Sequence, residues 1–591
     1  MYFQPIEAPT AASRDRARDL IVAVALALIL STGWLITDWA RLRHLLLPDH
    51  DDMMRLAQVR DWLAGQATND WTQYRMAPPL GAPMHWSRVN DVGIAAIILL
   101  VRPVLGTSAA EMAAVLGYPL LLFALALFLS ARIGRRLWGA QGGPIAALLM
   151  AFAYPGTLAF LPGRIDHHAL QVVLIQLLVL AVMAAPTWRG GLGAGLWAGI
   201  SLVVGLETLP QVGVLIAVLA LLWVAHGVME RARLLGFAGG LAGTTLLFLA
   251  FLRPTLWSAA YCDAFTPASA TGALLTAGAL ALLAAMTPWL RHSTPRLAAG
   301  GLLGGAVLAA TLIAYPSCWR GPYGVMDPFL VKWFLPFIDE ANSLFDQRPL
   351  RAIAFSGVCV VASLVTLWML WRDAGRRVLL LPLGAVILVS TLVMLAQVRG
   401  VYIGAPLAAP MLAGLVITAR NATRGRVAKI VGAWLASAGI LYATLGDQIE
   451  RRLGAGPGVA PVKQQVLCSA GNPWALIDRQ PKGVVMAGTS IAAYLIAATH
   501  HATIGAGYHR NDRGNMAMYR FFLSPPERAR AIGRAWRADY VAFCPGDFDE
   551  LGVTRAYPAS LATALARGRV PAWLRPVPIG DTALRLYRIR R

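Results

Sequence analysis

The sequence predicts a polytopic α-helical membrane protein of about thirteen transmembrane helices, followed by a small C-terminal α/β domain outside the bilayer. Three observations carry that prediction. Of the 591 residues, 57% are hydrophobic and only 14% are charged, and the mean hydropathy is +0.58. A soluble chain of this length needs far more charged surface. Apolar runs long enough to cross a bilayer recur, as in Leu20–Ile36, Met112–Leu129, Leu297–Ala314 and Val378–Leu395. Arginines gather between these runs, as they do in cytoplasmic loops. The formal net charge of +22 is therefore a feature of membrane topology. No base-stacking motif accompanies the basic patches, so no nucleic-acid partner is expected.

Taken in order, Arg14, Arg16 and Arg18 precede the first run and place an N-terminal tail, residues 1–19, in the cytoplasm. No small-residue cleavage site follows that run, so it reads as a retained helix. Basic clusters at Arg132/Arg135/Arg136, Arg231/Arg233, Arg291/Arg296, Arg372/Arg376/Arg377 and Arg420/Arg424/Arg426/Lys429 fall on the same side. The segment after Leu445 then lies outside. This path gives a membrane domain over residues 20–446, with external loops at 39–91, 160–169, 253–269 and 315–349. Val92–Leu105 reads either as a span or as a helix lying against the bilayer. Residues 447–591 form the external domain. There Val484–Ala487 and Tyr540–Phe543 read as buried strands, and Ser524–Trp536 as helix. Cys262 and Cys318 fall in external loops, Cys468 and Cys544 in the last domain, and Cys359 within a span. Two disulfides are compatible with an oxidising compartment, but spacing alone does not pair the cysteines.

Ionisable residues concentrate on the external loops, where a rigid scaffold commonly presents catalytic groups. Pro48-Asp49-His50-Asp51-Asp52 follows the first run. Carboxylates one residue apart can converge on a hard divalent cation or leave an oxygen free as a base; a solvated acidic loop is the bland alternative. Gly163-Arg164-Ile165-Asp166-His167-His168 suits a mixed oxygen and nitrogen metal site, or else Asp166 caps the next helix. Phe337-Ile338-Asp339-Glu340 lies in the long late loop, and Gln397-Val398-Arg399 at the outer end of a span. Arg399 suits a lipid-borne phosphate through bidentate contact, or is simply an interface arginine. Glu207 lies near the outer end of a span and either lines a cavity or marks the interface. In the last domain, His500, His509 and Arg510 could bind sugar or stabilise a loop.

In this order and topology, the motifs resemble those of the single-subunit oligosaccharyltransferases of archaea and bacteria, which are GT-C membrane glycosyltransferases. The resemblance covers about Leu20 to Leu445. It implies that Asp51 is the aspartate of the first motif, with Asp49 completing an Asp-x-Asp. It implies metal ligation by Asp51, Asp166 and His168, a catalytic or acceptor-side role for Glu340 in an Ile338-x-Glu340 motif, and donor-phosphate binding by Arg399. Phe337 stands where that family usually has threonine or serine. The family's Trp-Trp-Asp acceptor motif has no counterpart: Trp474, Trp536 and Trp573 are isolated. A glycan or lipid-linked saccharide is therefore a better acceptor than a protein sequon.

The resemblance implies a polyprenyl phosphate or diphosphate sugar donor, a divalent cation (Mg2+ or Mn2+), and an acceptor glycan, lipid or protein. It places the chemistry on the periplasmic face of the bacterial inner membrane. Asp51 would serve either as metal ligand or as the base for the acceptor hydroxyl. Two other classes remain: a transporter or flippase for lipid-linked glycans, and a non-catalytic membrane assembly protein. Either would tolerate loss of the loop carboxylates.

Overall fold

The structure is a computed structural model that describes residues 9–257, 261–452 and 468–590. Parts of three expected regions lie outside the described residues: 1–8 of the tail, 258–260 of one external loop, and 453–467 and 591 of the C-terminal domain. The helices, in chain order, are α1 (Pro9–Leu42), α2 (His50–Leu63), α3 (Val89–Trp138), α4 (Gly142–Ala151), α5 (His168–Met183), α6 (Trp188–Val204), α7 (Leu209–His226) and α8 (Val228–Phe251). They continue with α9 (Pro267–Met286), α10 (Ser293–Ala314), α11 (Pro328–Trp333), α12 (Pro349–Arg372), α13 (Arg377–Ala396), α14 (Gly400–Arg420), α15 (Arg426–Ser437) and α16 (Gly439–Arg452).

Among the described residues, nine helices are long and apolar enough to cross a membrane, or ten if the bent pair α15–α16 counts as one. The sequence suggested about thirteen. The difference has local causes. Val92–Leu105 and Met112–Leu129 lie on the two arms of α3, which meet at a kink at Gly106 with a φ of 78° that favours glycine, and the two arms count together as one span. The apolar helices α4 and α5 are shorter than a full span.

Contacts divide the chain into two compact units. The first comprises Met1–Asp38, Trp86–Gly324 and Asp339–Leu453. Its most buried span is α14, despite Pro406 and Pro410 within it. The Trp138 indole donates to the Pro410 carbonyl at 2.7 Å. Helices α6 and α8 approach through glycine: Gly191, Gly195, Gly236 and Gly240 each face the other helix's backbone with no room for a Cβ. Part of the basic cluster expected to mark the cytoplasmic side is paired within the protein. Arg135 makes a bidentate bond at 2.7 and 2.6 Å to the buried Asp19 of α1. Arg233 pairs with Glu230 and donates to the Val182 carbonyl at 2.8 Å. Residues such as Leu100, Val104 and Leu302 face outward, as lipid-exposed residues do.

The second unit joins Trp39–His85, Val325–Ile338 and Gly454–Arg591. Its elements include the short pair β1 (Thr72–Gln73) and β2 (Ala82–Pro83), then α17 (Trp474–Asp478), β3 (Val484–Ala487), α18 (Thr489–Ala498), β4 (Ala502–Thr503), α19 (Asp512–Leu523) and α20 (Pro526–Ala535). It closes with β5 (Tyr540–Phe543), α21 (Val553–Ala556), α22 (Leu561–Ala566), β6 (Leu574–Val577) and β7 (Arg585–Ile589). The five-stranded sheet runs β4-β3-β5-β7-β6. Strand β3 is parallel to β4 and β5, while β7 is antiparallel to β5 and β6. All four residues of β5 are buried, which explains its unbroken apolar sequence. Residues beyond the C-terminal stretch complete this unit. Thr503 and the Arg75–Ala77 backbone exchange bonds of 2.8 and 2.7 Å, the Tyr494 hydroxyl donates to the Leu47 carbonyl, and Arg510 donates to that of Met84.

Both cysteine pairs are joined, Cys262 with Cys318 in the first unit and Cys468 with Cys544 in the second. The second bridge spans 76 residues and ties the start of the described C-terminal segment to the end of β5. Closing a loop of that size stabilises by about 2–4 kcal/mol. Cys468→Ser is therefore expected to lower the melting temperature of the purified protein by about 5 °C or more in differential scanning fluorimetry.

Candidate active site

The first unit gathers one ionisable cluster from four separate stretches of chain. Gly163 turns the chain with a φ of 86° and its amide donates to the Val115 carbonyl at 2.9 Å. Asn90 donates to the Ile165 carbonyl at 2.8 Å and accepts from the Tyr118 hydroxyl at the same distance. These bonds fix Asp166 and His167 immediately before α5, whose first residue is His168. All three side chains are buried. The N-cap position of α5 belongs to His167, one residue after Asp166. Trp86 covers His167 with ring centroids 6.0 Å apart, and Tyr402 covers His168 at 5.6 Å.

Around these residues the carboxylates converge. His167 Nδ1 lies 2.6 Å from Asp166 Oδ1, and its Nε2 lies 3.1 Å from Glu207 Oε2. His168 Nε2 faces Asp166 Oδ2 at 3.4 Å and Glu340 Oε2 at 3.8 Å. Its Nδ1 faces Glu207 Oε2 and Gln171 Oε1, each at 3.3 Å. Arg399 stands at the opposite edge of the same carboxylates. It is 3.0 Å from Glu207 Oε1 and 3.6 Å from Glu340 Oε1, and donates to the Tyr323 hydroxyl at 2.8 Å. The backbone brings Glu340 and Arg399 together. The amide of Arg399 donates to the Glu340 carbonyl at 3.1 Å, and that of Val398 to the Asn342 carbonyl at 2.8 Å.

The electrostatics follow from this geometry. Burial alone would lower the pKa of His167, but the carboxylates of Asp166 and Glu207 outweigh it and hold the ring above its ordinary value. Burial also works against the charge on Arg399, and Glu340 and Glu207 reverse that effect, so its pKa is raised. Three carboxylates (Asp166, Glu207 and Glu340) against one guanidinium leave an excess of two negative charges when both imidazoles are neutral.

The donor set fits a divalent cation. Ligand atoms of Asp166, His167 and His168 all lie within 4.8 Å of one another, as do those of His168, Glu207 and Glu340. Donors bonded to one ion at about 2.0–2.2 Å stand no more than about 4.4 Å apart. Small side-chain adjustments therefore suffice.

Asp49, His50 and Asp51 form their own cluster in the second unit, at the start of α2. His50 Nδ1 lies 2.8 Å from Asp49 and its Nε2 lies 3.5 Å from Asp51. Asp49 is the N-cap residue, but its side chain makes no capping bond. The Tyr508 hydroxyl donates to the His50 carbonyl at 3.1 Å. The three C-terminal candidates have separate surroundings. His500 is exposed and paired with Asp478 at 2.7 Å, His509 lies 5.1 Å from the His85 ring, and Arg510 holds the Met84 carbonyl at 3.1 Å. Sequence reasoning did not place Tyr323 or His167 among the functional residues, nor assign Glu207 to this cluster. The only available signal for Glu207 was an acid at the end of an apolar run.

No protein-family model matches the sequence, and no curated protein sequence matches it. Solved structures do. The archaeal oligosaccharyltransferase AglB from Archaeoglobus fulgidus, in complex with an inhibitory peptide and a dolichol-phosphate, superposes with a TM-score of 0.66 at 14% identity. That match covers 93% of this chain and 72% of the other. A complex of the A. fulgidus oligosaccharyltransferase with Zn and sulfate gives 0.62 at 14% identity, over 97% of this chain and 73% of the other. A form tethered to an acceptor peptide containing the NVT sequon gives 0.63 at 14% identity, over 98% and 74%. The nine membrane-length helices among the described residues, a small C-terminal sheet domain and these superpositions together show that this chain has the polytopic GT-C fold of the oligosaccharyltransferases.

Proposed function

We propose that the protein is a glycosyltransferase that moves a sugar or oligosaccharide from a polyprenyl phosphate or diphosphate donor to an acceptor glycan or lipid. The single observation behind this reading is the adjacency of Arg399 to the cluster formed by the buried Asp166 and His168 with the half-buried Glu340. A guanidinium that binds phosphate oxygens in bidentate fashion thus stands beside a set of cation ligands, which suits a leaving group that departs as phosphate.

Asp166, His168 and Glu340 would hold a divalent cation, Mg2+ or Mn2+. When bound, it supplies Lewis-acid stabilisation of the charge that develops on the leaving phosphate. Arg399 binds and orients that phosphate, and its Tyr323 contact fixes one edge of the guanidinium. The rings of Trp86 and Tyr402 limit water around the two imidazoles. Asp51, with Asp49, serves the same reaction as cation ligand or as the base that takes the proton of the acceptor hydroxyl. His500, His509 and Arg510 are candidates for acceptor binding.

The reaction takes place on the periplasmic side of a bacterial inner membrane. Two features support that orientation: the basic residues between spans, which mark the cytoplasmic side, and the two disulfides, which persist in oxidising compartments.

The test is release of sugar from a polyprenyl-linked donor by purified protein. A chelator is expected to abolish release and added Mn2+ to restore it. Release that ignores the chelator but needs Asp51 would replace the cation with a base mechanism. Unchanged cellular function in both Asp51→Ala and Asp166→Ala would favour transport or assembly.

A further inference from the structure

We infer that Glu207 is the positioning residue of this site: one carboxylate oxygen fixes the ring of His168, and the other fixes Arg399. A single side chain would then set both the cation ligand and the phosphate anchor. This rests on the functional reading above and goes beyond it, because none of the motifs that resemble the oligosaccharyltransferases includes Glu207.

The two nitrogens of His168 face different groups. Nε2 points to Asp166 Oδ2 and Glu340 Oε2, the two candidate ligand carboxylates. Nδ1 lies on the other side, in ion-pair contact with Glu207 Oε2 at 3.3 Å and hydrogen-bonded to Gln171 Oε1 at the same distance. A carboxylate on the far nitrogen of a ligating imidazole fixes its tautomer and ring orientation and raises its basicity. Glu207 Oε2 also takes His167 Nε2 at 3.1 Å, while Oε1 is committed to Arg399 at 3.0 Å. An ion pair that only neutralised Arg399 would not need the two imidazoles on the second oxygen.

The backbone that delivers Glu207 is shaped for this approach. Glu207 lies in a one-turn 3-10 segment, Leu206–Thr208, between α6 and α7. A Cβ on the preceding Gly205 would sit 3.0 Å from Gln171 Nε2 and 3.5 Å from the His167 ring, so a larger residue would push the turn away. The hydroxyls of Ser201 and Thr208, 2.8 Å apart, pin the turn from within the helix pair. Gln171, buried on α5, shares His168 Nδ1 at 3.3 Å and supports the same ring orientation.

The experiment measures Mn2+ binding to the purified full-length protein by electron paramagnetic resonance, with farnesyl diphosphate binding measured alongside. Glu207→Ala is expected to weaken Mn2+ binding about 10–100-fold, the usual effect of losing such an outer carboxylate, and to weaken farnesyl diphosphate binding as well. Glu207→Gln keeps the shape and one acceptor oxygen, so it should recover part of the Mn2+ affinity. Wild-type Mn2+ affinity in folded Glu207→Ala overturns the inference even if its melting temperature falls. Should Glu207→Ala fail to fold, wild-type affinity in Glu207→Gln overturns it equally. Absence of Mn2+ binding by the unmodified protein would overturn the cation site itself, and the inference with it.

Discussion

Asp166→Ala is expected to lower kcat/KM for sugar release from a polyprenyl-linked donor by at least about 10^3-fold, or roughly 4 kcal/mol of transition-state stabilisation. Two losses combine. The carboxylate is a candidate cation ligand facing His168 Nε2 at 3.4 Å, so its removal leaves the ligand set short of an anionic oxygen. It also accepts from the adjacent ring, with His167 Nδ1 only 2.6 Å from Asp166 Oδ1, and that ring is buried. A buried donor stripped of its partner reorients or costs about 1–3 kcal/mol. The measurement is single-turnover sugar release at saturating Mn2+, with protein folding checked by size-exclusion chromatography. Full activity in a folded Asp166→Ala protein would remove this cluster from the chemistry.

Gly195→Leu is expected to prevent folding, with a destabilisation of at least about 3 kcal/mol. Helices α6 and α8 pack backbone to backbone along a glycine seam. A side chain at Gly195 would run into the Phe237 carbonyl and the Leu241 amide, which are fixed parts of α8 and cannot turn aside as a flexible side chain would. Lipid gives no hydrophobic drive for helix association, so close packing must supply the contact energy. The same substitution at Gly193, on the same helix but with open space around its Cβ, should change stability by no more than about 0.5 kcal/mol. Comparing the two variants by detergent-resistant monodispersity separates a packing effect from a helix-propensity effect.

Much of the site was legible before any coordinates. Asp166, His168 and Arg399 stand out as polar residues at the outer ends of apolar runs and Glu340 as an acid in the long late loop, and the structure places all four in one cluster. Glu207 was visible as an acid near the end of a span, but its role was not. Its partners lie 40 residues before it and 192 after it, and no local pattern encodes such closures. The sequence also separates loops from the last domain, whereas Trp39–His85 and Val325–Ile338 form one compact unit with Gly454–Arg591. Edge pairing explains this in part. Strand β4 has only two residues, and Thr503 finds additional backbone partners in Arg75 and Ala77, far away in the chain.

Hydropathy and charge by themselves determined that the chain is a multi-pass membrane protein with a polar C-terminal domain, because burial in lipid restricts composition at every position of a span. They also marked the short segments in which ionisable groups gather, because such groups are rare wherever they are costly. Tertiary structure alone decided the rest: the kink at Gly106 between two apolar runs, the pairing of the four bridging cysteines, and the single carboxylate that touches both histidines and the arginine. Each of these depends on contacts between residues distant in sequence or on a backbone angle. Composition and periodicity report only what each segment needs from its surroundings, not which segment supplies it.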